Sequence, residues 1–278
     1  MRIWHRGFLA VKFEQMLVQL DVRYIHQRAD PTVANSPITK LMFIIDEDHP
    51  AWPTVREVLK HDHTFISTEF TKEEIAAAEW SIVRTRHSVH SLRSVEFGWS
   101  PEFFADLCAK CGSGWRQIAP FKLKREPKLG RAVFSSFGSG FEVFAAPVVW
   151  ETFRREGIRG WETRPLFIAR TGEPVKGLQQ LVVTEMAEPA VVEELCERQR
   201  YSRNECEACG RTWHAHYTRG MLPLRMAALR TDVDLQLTHE WFGNGLTARH
   251  EILASRKVVA LALRERWRGI EFVPVRVV

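Results

Sequence analysis

Short runs of apolar residues, separated by polar or proline-containing segments, recur along this chain and predict a fold with many strands. The clearest run is Leu41–Ile45, which ends at the acidic residues Asp46-Glu-Asp48. Further strands are predicted at Thr64–Phe70, Phe141–Phe144, Trp161–Ile168 and Leu178–Glu185, and residues 81–100 look extended. All of these runs are far shorter than the ~20 apolar residues that a membrane span requires.

Apolar residues at intervals of three and four predict helices between these strands. The predicted helices lie at residues 8–21, at Thr54–Lys60, from Thr71 to about Trp80, from Pro147 onward and at Pro189–Arg200. The third of them opens with a capping box. Thr71 can accept a hydrogen bond from the backbone of Glu74, and the Glu74 side chain can reach back to Thr71.

One order of strand, helix, glycine and strand occurs twice in the second part of the chain. Residues 141–166 align with residues 250–275, with an Arg-Gly pair after the helix in both (Arg159-Gly160 and Arg268-Gly269). Glycine suits a helix end because it adopts the left-handed conformation without steric cost. Two amphipathic units can resemble each other by chance, but we favour an internal duplication.

Four of the five cysteines occur in two copies of one motif, C-x-x-C-G-x-x-W. The first copy starts at Cys108 and ends at Trp115, and the second starts at Cys206 and ends at Trp213. Two residues between paired cysteines let one tight turn point both sulfurs at a single metal ion, and a tetrahedral site needs four such ligands. We therefore predict one structural zinc ion held by Cys108, Cys111, Cys206 and Cys209.

The long interval between the cysteine pairs, residues 112–205, makes each pair its own hairpin. The predicted fold class is α+β, with two pseudo-repeated strand–helix–strand units joined by a split zinc ribbon and preceded by an N-terminal α/β extension. The predicted domains are residues 1–100 and 101–278, with repeats at about 102–168 and 200–278. Two redox pairs, or free thiols, are the alternatives to zinc.

The amino-acid composition restricts the class of protein but does not identify its function. The chain is 45% hydrophobic and 26% charged, with a net charge of +5, which is globular and mildly basic. Its first residues lack the apolar core of a signal peptide, so we expect a soluble, cytoplasmic protein with reduced cysteines. No catalytic signature is found, and we expect a protein that is not an enzyme.

Other candidate residues are interpreted more plainly. Cys196 is expected to be a buried, inert thiol. His214 and His216 could supply a metal ligand but are expected to be ordinary polar residues. The same is expected of the histidines that could form a second site with Asp46 or Asp48, namely His61, His63, His87 and His90. A basic segment after Pro120 carries the residues that would contact phosphates in a nucleic-acid binder, namely Lys122, Lys124, Arg125, Lys128 and Arg131.

The two Cys-x-x-Cys-Gly motifs are followed by Thr231-Asp-Val-Asp-Leu235, Ser255-Arg-Lys-Val-Val259, Trp267-Arg-Gly269 and Phe272-Val-Pro-Val275. In this combination, residues 102–278 resemble the bacterial double-CXXCG motif family. Some members of that family are immunity proteins that protect a cell from toxins delivered by its siblings. The resemblance implies a zinc-binding protein that neutralises a cognate toxin, and a zinc-ribbon nucleic-acid binder is the alternative.

Overall fold

The computed structural model describes residues 1–29, 37–59, 64–86, 88–89, 102–137, 142–196 and 203–278. The chain divides into two compact units. The first comprises residues 1–71 with residues 218–220, and the second comprises residues 72–217 and 221–278. Each unit is mixed in secondary structure, with more strand than helix.

The first unit is a four-stranded antiparallel sheet with helices on one face. Its strands are β1 (Arg2–Ala10), β2 (Tyr24–Arg28), β3 (Ile38–Asp46) and β4 (Phe65–Glu69), in the order β2-β3-β1-β4. Helices α1 (Glu14–Gln19) and α2 (Trp52–Val58) pack on the face formed by the alternate residues Leu41, Phe43 and Ile45. The strand predicted at Leu41–Ile45 is thereby confirmed within a longer strand.

The helix predicted over residues 8–21 is only partly correct. Residues up to Ala10 belong to β1, a 3-10 turn follows, and the α-helix covers Glu14–Gln19. Leu9 lies opposite Leu41 in the sheet and is buried there, so the same apolar residue that fitted a helical period is used by a strand.

In its described residues, the second unit contains two larger sheets and three short α-helices. The helices are α3 (Lys72–Ala77), α4 (Pro147–Arg155) and α5 (Arg256–Arg264). The strands are β5 (Trp80–Thr85), β6 (Ser88–Val89), β7 (Phe104–Ala105), β8 (Arg116–Gln117), β9 (Lys122–Leu123), β10 (Phe134–Phe137), β11 (Val143–Ala145), β12 (Trp161–Arg164), β13 (Phe167–Ile168), β14 (Gln179–Val183), β15 (Arg203–Glu205), β16 (Thr212–His214), β17 (Leu222–Leu224), β18 (Leu235–Phe242), β19 (Arg249–Ser255) and β20 (Ile270–Val277).

One sheet has the order β15-β16-β18-β19-β5-β20-β17 and the other the order β12-β14-β11-β10-β6. The pairs β7–β8 and β9–β13 stand apart from them. Because β5 is a central strand of the seven-stranded sheet, residues 80–85 belong with the cysteine-bearing part of the chain rather than with the N-terminal unit.

The two segments aligned by sequence each form a strand, a helix and a strand. These segments are β11-α4-β12 and β19-α5-β20. In the first segment both strands pair antiparallel with β14, and in the second both strands pair antiparallel with β5. The carbonyl of Arg159 accepts hydrogen bonds from the backbone of Asp234 and Leu235. In the same way the carbonyl of Arg268 accepts them from Val133 and Phe134.

Gly160 and Gly269 end these corresponding loops with φ of +90° and +89°. A Cβ on Gly160 would lie 2.1 Å from the carbonyl oxygen of Leu235, and a Cβ on Gly269 would lie 2.3 Å from that of Phe134. Glycine is therefore required at both positions for two reasons, the backbone conformation and the close approach of the other segment.

The helix predicted at Pro189–Arg200 is wrong over its described part. Residues 189–192 are not helical, Glu193–Leu195 forms one 3-10 turn, and residues 197–200 lie outside the described residues. The backbone N–H groups of Ala190 and Val191 donate to the Glu240 carboxylate at 2.6 and 2.8 Å. These bonds, and a bridge from Val191 to Leu224, hold the segment extended against the seven-stranded sheet.

Aromatic residues fill the core between α4 and α5. The rings of Trp150 and Trp161 stack at 5.3 Å, and Phe153 contacts both Trp161 and Trp267. Pro147 opens α4 as the sequence predicts, because its missing N–H is not needed in the first turn. In the part of the chain that is described, no helix has the length and apolar character to cross a membrane.

Candidate metal centre

Two short hairpins carry the paired cysteines. The first joins β7 to β8 and carries Cys108 and Cys111, and the second joins β15 to β16 and carries Cys206 and Cys209. In the first, the Cys108 N–H donates to the Ser113 carbonyl at 3.0 Å and the Gly112 N–H donates to the Cys108 carbonyl at 2.7 Å. The same two bonds occur in the second, at the same lengths, between Cys206, Arg211 and Gly210. The repeated motif thus forms the same local structure twice.

The glycine after each second cysteine makes this turn possible. Gly112 has φ of +71° and Gly210 has φ of +66°, a region that most residues avoid. A left-handed residue at this point turns the chain back on itself after only two intervening residues. Both sulfurs of a pair can then lie on the same side of the turn.

The four sulfur atoms form one cluster. All four lie within 4.8 Å of one another, with 3.9 Å between the Sγ atoms of Cys108 and Cys206 and 3.8 Å between those of Cys111 and Cys209. A tetrahedral ion with sulfur ligands at about 2.3 Å requires sulfurs about 3.8 Å apart. The cluster can therefore hold one metal ion, and among the described residues it is the sole group of this kind.

Backbone N–H groups around the sulfurs favour thiolates. Hydrogen bonds from the backbone of Cys111 and Lys110 lower the pKa of the Cys108 thiol to about 6. Burial opposes ionisation of Cys206, but the corresponding backbone groups of Ala208 and Cys209 outweigh it and lower the pKa of that thiol. Thiolate is the form that binds a metal.

Contacts between the hairpins hold them side by side. The Lys110 ammonium lies 2.6 Å from the Glu207 carboxylate, and the Arg211 guanidinium lies so close to Gly114 that a Cβ there would clash at 2.1 Å. The first hairpin packs through Trp115 against Phe104, which in turn contacts Phe121. The second is part of the seven-stranded sheet, where β16 runs parallel to β18. Each hairpin is thus anchored to its own part of the second unit.

The remaining cysteine and the histidines of the second motif do not join the cluster. Cys196 is 5% exposed, and burial raises the pKa of its thiol to about 11, as expected of an inert side chain. His214 is buried beside Phe242, and burial lowers its pKa. His216 lies 3.2 Å from Glu251.

The other candidate histidines, His61, His63, His87 and His90, lie outside the described residues. Asp46 forms an ion pair with Arg2. Glu47 lies 2.7 Å from Nε2 of the buried His5 and pairs with Arg219 at 2.6 and 2.9 Å. The acidic cluster after β3 is thus largely engaged within the first unit, which leaves Asp48 exposed.

The basic segment after Pro120 lies at the surface, where its candidate phosphate contacts Lys122, Lys124, Arg125, Lys128 and Arg131 are all exposed. Lys122 pairs with Glu102 at 2.6 Å. Trp115 and Trp213 are half-buried; these are the aromatic residues available for stacking on bases in a nucleic-acid binder.

Sequence reasoning missed a pair of buried glutamates in the second unit. Glu251 binds Arg84 in a two-pronged ion pair, contacts His216 and lies 4.0 Å from Arg249. Burial alone would raise the pKa of Glu251, but the charges of Arg84 and Arg249 and the hydrogen bonds to Arg84 and His216 hold that pKa at about 2. Glu142, in contrast, has a pKa raised by burial to about 7. The available signal was a lone glutamate in the apolar run Phe141–Phe144.

Comparison with known proteins identified no relative of this chain. No protein-family model, curated protein or solved structure gives a match to this chain. The resemblance to the double-CXXCG family therefore stays a prediction.

Proposed function

We propose that this chain is a non-enzymatic binding protein whose second unit is stabilised by one structural zinc ion on Cys108, Cys111, Cys206 and Cys209. The observation that carries the proposal is the cluster of four sulfur atoms, which all lie within 4.8 Å of one another. Four cysteine ligands leave no open position for water or substrate, which is the pattern of structural rather than catalytic zinc. A reducing compartment such as the cytoplasm would keep the thiols available.

The position of the cluster supports a role as a clamp. Each hairpin precedes one of the two strand–helix–strand segments along the chain, and the ion would join two hairpins with the same backbone hydrogen bonds. On this proposal the chain is a duplicated unit and zinc links the equivalent ends of its copies, as a split zinc ribbon. The ion would then contribute to folding rather than to chemistry.

Metal content tests the zinc proposal. Protein purified without added metal should carry about one zinc per chain by inductively coupled plasma mass spectrometry. Cys108→Ser and Cys209→Ser should each lose most of it. Cys196→Ser is the matched control, because Cys196 lies outside the cluster, and it should keep its metal. Substoichiometric metal with disulfide-bonded cysteines in the parent protein would refute the site.

The first unit supports a protein partner of the immunity type. Its helices cover one face of the sheet, while the opposite face exposes Ile25, Ile44 and Phe65 at 54%, 49% and 58%. Arg6 lies over the Phe65 ring at 5.1 Å, so the face combines apolar and cationic groups. Exposed apolar surface beside arginine is typical of interfaces between proteins. We propose that the cognate toxin binds there.

A pull-down from the native host, followed by mass spectrometry, tests this interface. A partner captured by the parent protein should be lost with Ile44→Asp and retained with Val18→Asp, an exposed apolar residue of α1 on the helix side of the sheet. Thermal unfolding of both variants checks that the unit still folds. Equal capture by both variants would place the interface elsewhere.

Nucleic-acid binding is the second proposal, favoured by one observation. Lys124, Arg125, Lys128 and Arg131 are exposed, and their side chains make no ion pair or hydrogen bond with the described residues. Filter binding of single-stranded DNA and RNA at low salt tests it. Retention that falls with salt and is lost when these four residues become Gln would support the proposal, and no retention would remove it.

A further inference from the structure

The second unit contains a cavity of about 330 Å³ that is lined by none of the four clustered cysteines. Strands β11, β14 and β12 of the five-stranded sheet contribute to its wall, as do β18 and β19 of the seven-stranded sheet and β8 of the first hairpin. Its volume is at the lower end of the range for small-molecule sites, which is roughly 300–1,000 Å³. The cavity is thus formed where several elements converge.

A buried carboxyl group lines this cavity. Glu142 is 9% exposed, and among the described residues its carboxyl forms no ion pair and no hydrogen bond with another side chain, although its own backbone N–H donates to it. Burial raises its pKa to about 7, against the lowering effect of Arg249. A buried carboxyl without an ion-pair partner is costly to the fold, and ionisable groups with strongly shifted pKa values cluster at functional sites.

Positive charge exceeds negative charge around Glu142. Arg164 lines the cavity and makes no ion pair among the described residues. Arg249 lines it as well and lies 4.0 Å from Glu251, which also binds Arg84. The third cation in the wall, Arg116, is neutralised by Asp106 at 2.7 Å. Arg164 is therefore the cation that a bound anion would neutralise.

The rest of the wall suits a flat apolar body. The rings of Trp241 and His250 lie 4.1 Å apart, and Leu181 and Ile252 supply aliphatic surface. Burial lowers the pKa of His250, and its Nδ1 atom has no hydrogen-bond partner in the described part of the chain. A neutral imidazole with a free nitrogen can accept or donate a bond to a ligand.

We propose that this cavity binds a small planar organic anion of the aromatic carboxylate class. Its carboxylate would lie against Arg164 and Arg249, its ring would lie along Trp241, and Glu142 in its protonated form would donate a hydrogen bond to the carboxylate. The proposal rests neither on the zinc ion nor on a protein partner, because none of the four clustered cysteines lines the cavity.

Three probes of equal shape and different charge test the proposal. Benzoate, benzamide and benzamidine are titrated against the full chain by isothermal calorimetry and saturation-transfer NMR. Benzoate should bind about tenfold or more tightly than benzamide, the difference expected of one charge-assisted contact. Benzamidine should bind no better than benzamide.

Variants locate the site. Arg164→Gln should weaken benzoate about tenfold and leave benzamide unchanged, a difference that a merely structural role of Arg164 would not produce. Arg276→Gln is the matched control, an exposed arginine on β20 outside the cavity, and it should change neither affinity. Benzoate affinity should fall between pH 6 and pH 8 in the parent as Glu142 ionises, and this fall should disappear in Glu142→Gln.

Each contrary result would overturn one part of the ligand-binding proposal. Preference for benzamidine would assign the cavity to cations. If Arg164→Gln left the benzoate affinity unchanged, the anion would bind elsewhere. If none of the three probes bound, the cavity would not be a ligand site. Circular dichroism of Glu142→Gln and Arg164→Gln confirms that a lost affinity does not reflect unfolding.

Discussion

The Sγ atoms of Cys108 and Cys206 lie 3.9 Å apart, although 98 positions separate the two residues along the chain. The first residue belongs to the hairpin that packs on Phe104 and the second to a hairpin of the seven-stranded sheet. Four sulfur atoms can be held this close without repulsion between thiolates when a cation lies among them. This relationship leads directly to the first prediction.

Removing the metal should destabilise the second unit. A strong chelator at neutral pH should lower the melting temperature in calorimetry by about 10 °C, because a loss of roughly 3 kcal/mol corresponds to 2–4 °C per kcal/mol in a unit of this size. Cys108→Ser and Cys209→Ser should produce shifts similar to each other, since either one opens the clamp. If the chelator left the melting temperature unchanged, the result would contradict the presence of a structural ion.

Gly160 and Gly269 should tolerate alanine poorly. Both have positive φ, and an added Cβ would press on the backbone of another strand, so we expect each change to cost more than about 2 kcal/mol in urea unfolding. Gly157→Ala is the control. It has φ of +61° but nothing within 4 Å of the added Cβ, so only the conformational cost of about 1 kcal/mol remains. Equal losses at Gly157 and Gly160 would show that close packing is unimportant.

Glu142 should destabilise the fold at high pH. Its folded pKa of about 7 lies above its ordinary value of 4.5, so the folded state binds the proton more tightly than the unfolded state. Stability should therefore fall as pH rises from 4.5 to 7, by up to about 3 kcal/mol from this group. Glu142→Gln should match the parent near pH 4.5 and exceed it in stability at pH 8. Parallel stability curves for the two proteins would contradict a raised pKa.

Glu251 should act in the opposite direction. Its folded pKa of about 2 lies below 4.5, so its contribution is complete above pH 4.5 and is lost as pH falls toward 2. Arg84→Met leaves this buried carboxylate without its main partner, and we expect a cost of about 3 kcal/mol at pH 7, with a smaller cost at pH 4 as Glu251 becomes protonated.

Arg86→Met is the matched control for Arg84→Met. Arg86 also pairs with a glutamate, Glu271, but the two side chains are 71% and 40% exposed. An exposed pair contributes about 0–1 kcal/mol. Urea unfolding of both variants should therefore separate the two arginines clearly, and a similar small loss in each would show that burial does not strengthen the Arg84 pair.

Local patterns were sufficient where one short segment decides the outcome. Pro147 marks the start of α4, the run Leu41–Ile45 marks a strand, and the Cys-x-x-Cys-Gly spacing gives both metal hairpins. In each case the preference is fixed by backbone conformation, side-chain alternation or a tight turn within about ten residues.

Tertiary contacts decided the secondary structure of those segments in which local helix preference and packing disagree. Residues 8–10 and 189–192 carry helical periodicity, yet both are extended because neighbouring strands and the Glu240 carboxylate take up their backbone groups. The ionisation of Glu142 and Glu251 was equally invisible in sequence. These two glutamates differ because Arg84 forms a two-pronged ion pair with Glu251, whereas among the described residues no ion pair forms with Glu142.

The sequence by itself determined the four cysteines that could hold a metal ion and the two glycine-dependent hairpins, because these depend on residue types and spacings within each motif. Only the tertiary structure decided that the hairpins meet, and that Glu142, Arg164 and Trp241 surround one cavity. Contacts between positions so far apart are set by strand order and register across whole sheets, which no local pattern specifies.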